Sequence, residues 1–316
     1  MCLMNRGMRI GALAAVSILF LSGPSRPLDG SGVSPLAVIP FREMAQHMYV
    51  KARIGGLRDL SVVIDTGSPE FILSQKVFER LQLPFTGMVN IPSRVEGLRP
   101  NPAVLTSVPS VSFGAVTMKN LPAIVLRLEW VKTMLGVDTD AIIGPELFSR
   151  YVVELDYSKQ VLRLYDPSKY PEPQDGCKLP LQLRVHPLVH AAIITKTGKS
   201  VDAVLLLDTG TEYSVFTKPF VASHPDVLAN YLPAKPQEGL GTGGIVRGRL
   251  GRAFGIRLGG CTIAGPTVVF SQNATGMYPG AGPFSGEIGL NIFREFTTIF
   301  NYRRGYVVFQ SNKTRW

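Results

Sequence analysis

Two short runs carry the residue types from which chemistry could be built: Asp65-Thr66-Gly67-Ser68 and Asp208-Thr209-Gly210-Thr211. Each follows an apolar stretch, Val62-Val-Ile64 in the first case and Leu205-Leu-Leu207 in the second. An acid in such a place is costly unless it is paired, hydrogen-bonded or used. Two carboxyl groups brought close together cannot both ionise cheaply, so they share a proton. The charged member can then act as general base on a water and the protonated one as general acid. Such a pair needs no metal and no cofactor, and the sequence calls for neither. Gly67 and Gly210 would let the backbone turn sharply and offer N–H groups to the acids. Thr66 and Thr209 belong to the same supporting turns, while the hydroxyls of Ser68 and Thr211 are expected to donate to the outer carboxyl oxygens. That would favour the ionised form and an acidic to mildly acidic optimum.

The elements that must position these runs also occur twice, a self-similarity that points to two lobes of one design. In the first half the acid is followed by an amphipathic stretch Ser74–Leu83, then Ile143-Gly144, then Tyr151–Tyr157 and Val161–Tyr165. The second half follows with Thr217–Leu228, Ile288-Gly289, Phe296–Tyr302 and Tyr306–Phe309. Asp65 and Asp208 are 143 positions apart, and Gly144 and Gly289 are 145 apart. Short runs of Val, Ile, Leu, Phe and Tyr bounded by Gly, Pro, Asn and Asp read as strands. Helices are expected only over Ser74–Leu83, Pro145–Arg150, Lys218–Asn230 and Asn291–Arg294. The Pro-rich run Asp166–Gly176 reads as a connection. It separates a first lobe at 33–168, through a linker at 169–177, from a second lobe at 178–316. The fold class is all-β, two homologous β-barrel-like lobes with a cleft between them and few short helices.

The paired Asp-Thr-Gly runs and the paired Ile-Gly elements resemble the aspartic proteases, the bilobal pepsin-like and bacterial retropepsin-like secreted members in particular. The resemblance covers roughly residues 40–312. It implies an acid-protease fold in which the Ile-Gly elements thread behind the catalytic loops. It further implies an endopeptidase whose catalytic residues are Asp65 and Asp208 and whose substrate is an extended polypeptide, bound as an added strand. Phe71 and Tyr213 are candidates to line the cleft. The chain departs from the pepsin-like pattern in having no Tyr between residues 66 and 140 to cap the first lobe. Flap candidates are therefore Gly97 in the stretch Arg94–Ala103 and Gly241, Gly243 and Gly244 in the glycine-rich stretch of the second lobe. The chain leaves no room for a long basic propeptide. The alternative on the same fold is a secreted protein that holds a peptide or glycan without cutting it.

The chain has 316 residues, of which 45% are hydrophobic and 18% charged, enough to bury a sizeable core and unlike a disordered tail. Its net charge is +10, but the basic residues are scattered, with no stripe of the kind that tracks phosphates, so nucleic acid is not an expected partner. Gly239–Gly244 formally fits a dinucleotide fingerprint, but Pro233 and Pro236 stand where its strand should run. His186 and His190 have the spacing of helical metal ligands, but Pro187 and the neighbouring Val, Leu and Ile residues argue for a strand. Residues 1–25 have the layout of a secretory signal, with Arg6 and Arg9 before an apolar run too short for a lasting anchor. The protein is thus expected to be secreted or periplasmic, a monomer, with no stable membrane anchor. Cys177 and Cys261 remain after the signal and form either one disulfide or two buried thiols.

Overall fold

A computed structural model describes residues 32–91, 101–233, 237–241, 244–272, 277–278 and 282–312. The signal-like segment at 1–25, Gly97 and Gly243 lie outside the described residues. The fold is all-β. Short helices interrupt two large sheets, of which one has 13 and the other 11 strands among the described residues.

The internal repeat of the sequence is a repeat of strand order. In the first half the order is His47–Ile54, Leu57–Ile64, Ala141–Ile143, Ile72–Ser74, Val116–Leu126, Asn101–Phe113, Gly87–Ile91. The second half repeats it with Pro187–Ile194, Ser200–Leu207, Gly286–Ile288, Ser214–Phe216, Thr267–Ser271, Gly244–Ala253, Gln237–Gly241. Each array also curls back on its own start: Arg53 and Ile54 pair with Ser112 and Val111, and Ala192–Ile194 pair with Gly255–Arg257. This closure leaves each half barrel-like and protects what would otherwise be open sheet edges.

A further run of strands draws on both halves, in the order Cys177–Pro180, Tyr306–Ser311, Phe296–Asn301, Val152–Asp156, Val161–Tyr165, Ala37–Met44. Ala37–Met44 joins this run to the strands of the first half, since Ala37–Pro40 pair with Val161–Leu164 and Phe41–Met44 pair with His47–Val50. Its alternation of buried Ala37, Ile39 and Phe41 with exposed Val38, Pro40 and Arg42 is the period-2 pattern of a strand with one core face. The main apolar cluster runs through both halves, from Val62 and Ile64 to Leu205 and Leu207, with Phe148, Phe293 and Phe300. Beside it, the disulfide Cys177–Cys261 ties the shared sheet to the strand Cys261–Ala264 of the second half. This settles the choice between one disulfide and two thiols.

The helices differ from expectation at their ends. Ser74 is the N-cap of Gln75–Leu81, its Oγ accepting from Val77 N–H, in keeping with its residue type. The expected helix Lys218–Asn230 stops at Ser223, and the chain continues as a 3-10 turn Pro225–Val227 and a strand Leu228–Tyr231. Pro225 accounts for this, because the residue before a proline is driven out of the α region. Pro145–Phe148 and Leu290–Phe293 are single turns, and a helix Glu129–Leu135 was not anticipated. His190 lies on a strand with its side chain exposed and His186 is buried just before that strand.

Candidate active site

Each Asp stands at the end of a strand held by a parallel neighbour. Val62–Ile64 run parallel to Ala141–Ile143, and Leu205–Leu207 run parallel to Gly286–Ile288. The ladders continue one residue further, where Asp65 N–H donates to Ile143 O at 2.9 Å and Asp208 N–H to Ile288 O at 3.0 Å. The strand carrying Ile143-Gly144 is paired on its other side with Ile72–Leu73, so it passes between the strand before the acid and the strand after it. Ile288-Gly289 does the same between Leu205–Leu207 and Val215–Phe216. Glycine is required at both exits: a Cβ on Gly144 would overlap the Asp65 carbonyl, and one on Gly289 would lie 2.6 Å from the Tyr213 carbonyl carbon. The Ile-Gly elements therefore thread behind the two loops.

The loops meet reciprocally. A Cβ on Gly67 would fall on the Asp208 carboxyl, and a Cβ on Gly210 would fall on the Asp65 carboxyl. Each acid thus lies against the glycine that follows the other, as a two-fold relation between the halves requires. Beneath them Thr66 and Thr209 form a closed set of four cross-half hydrogen bonds. Thr66 N–H donates to Thr209 Oγ1 and Thr209 N–H to Thr66 Oγ1, both at 3.0 Å. Thr66 Oγ1 donates to Leu207 O at 2.6 Å and Thr209 Oγ1 to Ile64 O at 2.9 Å. Both threonines are buried, so these bonds are shielded from water.

Asp65 Oδ1 accepts from Gly67 N–H at 2.8 Å and Ser68 N–H at 3.0 Å, and Asp208 Oδ1 accepts from Gly210 N–H at 2.8 Å. The expected role of the Ser68 hydroxyl is corrected: its one proton goes to Glu70 O at 2.8 Å, and Ser68 serves Asp65 through its backbone instead. At the matching place Thr211 accepts Leu290 N–H at its carbonyl, 2.9 Å away. Phe71 is also corrected as a cleft-lining candidate, because it is fully buried in the main core. Tyr213 is partly exposed; burial first, then the neighbouring Glu212, pushes its phenol above its ordinary value.

Several neighbours escaped the sequence reading. Glu146 Oε1 accepts Phe71 N–H at 3.0 Å, and in the second half Asn291 Oδ1 accepts Ser214 N–H at 2.7 Å. Burial raises the Glu146 carboxyl, against the pull of backbone N–H groups and Arg150. Tyr302 is partly buried within the field of Asp65, and desolvation first, then that charge, push its phenol above its ordinary value. His47 reaches across from the first half with Nε2 3.0 Å from Gly210 O. Its turn is also tied to the second half by Arg294, whose guanidinium binds the Glu43 carboxylate at 2.6 Å and Gln46 Oε1 at 2.9 Å.

Both halves carry a hairpin at the places proposed for flaps. Gly87–Ile91 pairs with Asn101–Leu105 in the first half. In the second, Gln237–Gly241 pairs with Gly244–Gly248, Gly241 facing Gly244. The tips containing Gly97 and Gly243 lie outside the described residues.

Among the described residues no group of three His, Cys, Asp or Glu side chains could hold a metal ion, and no helix is long and apolar enough to cross a membrane. Residues 50–147 match a family model described as aspartyl protease. The match spans Asp65-Thr66-Gly67 and Ile143-Gly144 and, together with the fold, supports an aspartic protease family and a peptidase-type hydrolase. No curated protein matches the chain.

Proposed function

We propose that the protein is an aspartic endopeptidase whose catalytic residues are Asp65 and Asp208. The observation that carries this reading is the reciprocal seating of each carboxyl against the other loop's glycine. In that arrangement one proton is shared by the pair, because two adjacent carboxylates repel. The ionised member takes a proton from a water held between them, and the water oxygen bonds to the scissile carbonyl carbon. The protonated member gives its proton to the carbonyl oxygen, so a neutral tetrahedral diol forms. Its collapse breaks the C–N bond as the carboxyl that took the water proton passes it to the leaving nitrogen and the ionised carboxyl takes a proton from a diol hydroxyl, so the acid product forms and the pair returns to its starting state. No cofactor enters any step.

The substrate on this reading is an extended polypeptide, read by backbone pairing and side-chain pockets. The Cys177–Cys261 disulfide supports an oxidising compartment, and with the signal-like first 25 residues it favours a secreted or periplasmic monomer. The test is cleavage of a denatured protein between pH 3 and 7 by the mature chain, beside Asp208→Asn and a transition-state-mimicking inhibitor of aspartic proteases. Cleavage abolished by both establishes the reading. A folded wild-type chain that cuts nothing refutes it and leaves a binding protein on this fold.

A further inference from the structure

We propose that His47 is a positioning residue that holds the Asp208 loop in register from the opposite half of the molecule. This rests on the peptidase reading of Asp65 and Asp208. The argument begins at Gly210, which touches both acids. Its N–H donates to Asp208 Oδ1 at 2.8 Å, and its Cα leaves no space for a Cβ because the Asp65 carboxyl lies there. A glycine is also the residue whose backbone rotates most freely, so the position on which both carboxyls depend is intrinsically the loosest in the loop. The Gly210 carbonyl is fastened by the imidazole of His47, with Nε2 at 3.0 Å and 163 residues away in sequence.

The imidazole is itself placed. Ala45 and Gln46 have φ of 47° and 64° and form a two-residue turn between Met44 and His47, which pair across it. Such a turn matches the twist of the strands it joins and fixes the first residue of the returning strand. His47 Nδ1 lies 2.7 Å from Ala45 O, which orients the ring. Both acceptors are carbonyl oxygens, and the cross-half bond needs only the Nε2 proton. The Glu43–Arg294 ion pair and the Gln46–Arg294 bond secure the same turn to the second half.

The matching place in the second half borders a pocket. Tyr49 pairs with Val63 and Leu188 with Leu206, which puts His186 at the place matching His47. Ser149 stands 145 positions before Arg294, at the place matching it. Instead of an ion pair, His186, Ser149, Arg184 and Tyr302 line a pocket of about 470 Å³.

The test compares wild type with His47→Leu, His47→Asn and His47→Gln. Glutamine reaches about as far as Nε2 and carries an N–H there; asparagine is one bond shorter and leucine carries none. Expected are a roughly tenfold fall in kcat with KM nearly unchanged for Leu and Asn, and recovery to within about threefold for Gln, the range of a single partly buried hydrogen bond. Amide exchange at Gly210, read by NMR on the inhibitor-free protein, should quicken about tenfold in Leu and Asn and not in Gln. A rise in KM alone, an equal loss in all three variants, or unchanged Gly210 exchange overturns the proposal. If His47→Leu fails to fold, the Asn and Gln pair still decides. Should the wild type show no Asp208-dependent cleavage, the peptidase reading fails on that ground, and the exchange data separately decide whether His47 holds the loop.

Discussion

Replacing Thr66 by valine removes one oxygen from the closed set of bonds beneath the two acids while keeping the volume of the side chain. The Thr66 hydroxyl makes two of the four bonds, accepting from Thr209 N–H at 3.0 Å and donating to Leu207 O at 2.6 Å. Each bond contributes about 1 kcal/mol net, and a buried N–H left without its acceptor costs roughly 1–3 kcal/mol more. The expected destabilisation is therefore about 3–5 kcal/mol, with a matching loss for Thr209→Val, which strips the other two bonds. The four bonds form one cycle, so the double variant should lose less than the sum by at least about 0.5 kcal/mol. Thr66→Ser keeps the oxygen and should cost about 1 kcal/mol for the lost methyl. Urea unfolding followed by circular dichroism gives the stabilities, with the slope checked for constancy. A valine variant within about 0.5 kcal/mol of the serine variant, or strictly additive double-mutant energies, would refute the reasoning.

Gly67→Ala places a Cβ on the Asp208 carboxyl; we expect a folded protein whose kcat falls at least about 100-fold, because a displacement of about 1 Å at reacting groups has that effect. Circular dichroism beside the rate separates this from misfolding. Glu146 should make the protein less stable as pH rises. Its carboxyl is raised in the folded state by burial, so the folded chain holds the proton over a range where the unfolded chain has released it, and stability falls across that range. Glu146→Gln keeps the acceptor for Phe71 N–H and removes the charge, so its advantage over wild type should appear at neutral pH and vanish below pH 4; equal stability at pH 7 counts against this. Cutting the Cys177–Cys261 link, which closes a separation of 84 residues, should cost about 4–5 kcal/mol in the chain-entropy picture, seen as a lower urea midpoint for Cys177→Ser/Cys261→Ser.

What could be read from the sequence was what the two halves share. Asp-Thr-Gly after an apolar strand, Ile-Gly some eighty residues later and strands closing each half are local patterns, and repetition made them legible. The helix Glu129–Leu135 was missed although Glu129 in its first turn and Gly136 in the left-handed position after it are ordinary start and stop signals. Among the described side chains Leu128 and Val131 anchor it in a satellite cluster with Ile72 rather than in the main core. Pro225 is itself a sufficient signal that a helix begun at Lys218 ends before it.

Other details depend on which partner reaches a group first, and no local pattern encodes that. Ser68 and Thr211 look alike in sequence, yet the Ser68 proton is taken by Glu70 O, and a backbone N–H takes the place expected for it. Glu146 and Asn291 occupy the same place behind the two loops. Asn291 has an amide whose Nδ2 finds Thr267 O at 2.8 Å, whereas Glu146 Oε2 is buried without a hydrogen bond. His47 and His186 are the sharpest case, one imidazole spanning the halves and the other beside a pocket. On the peptidase reading, an acid pair that divides one proton between two members gains from supports that are not equivalent. The symmetry visible in the sequence assembles the pair, and the departures from symmetry, visible only in three dimensions, are where the two acids acquire different surroundings.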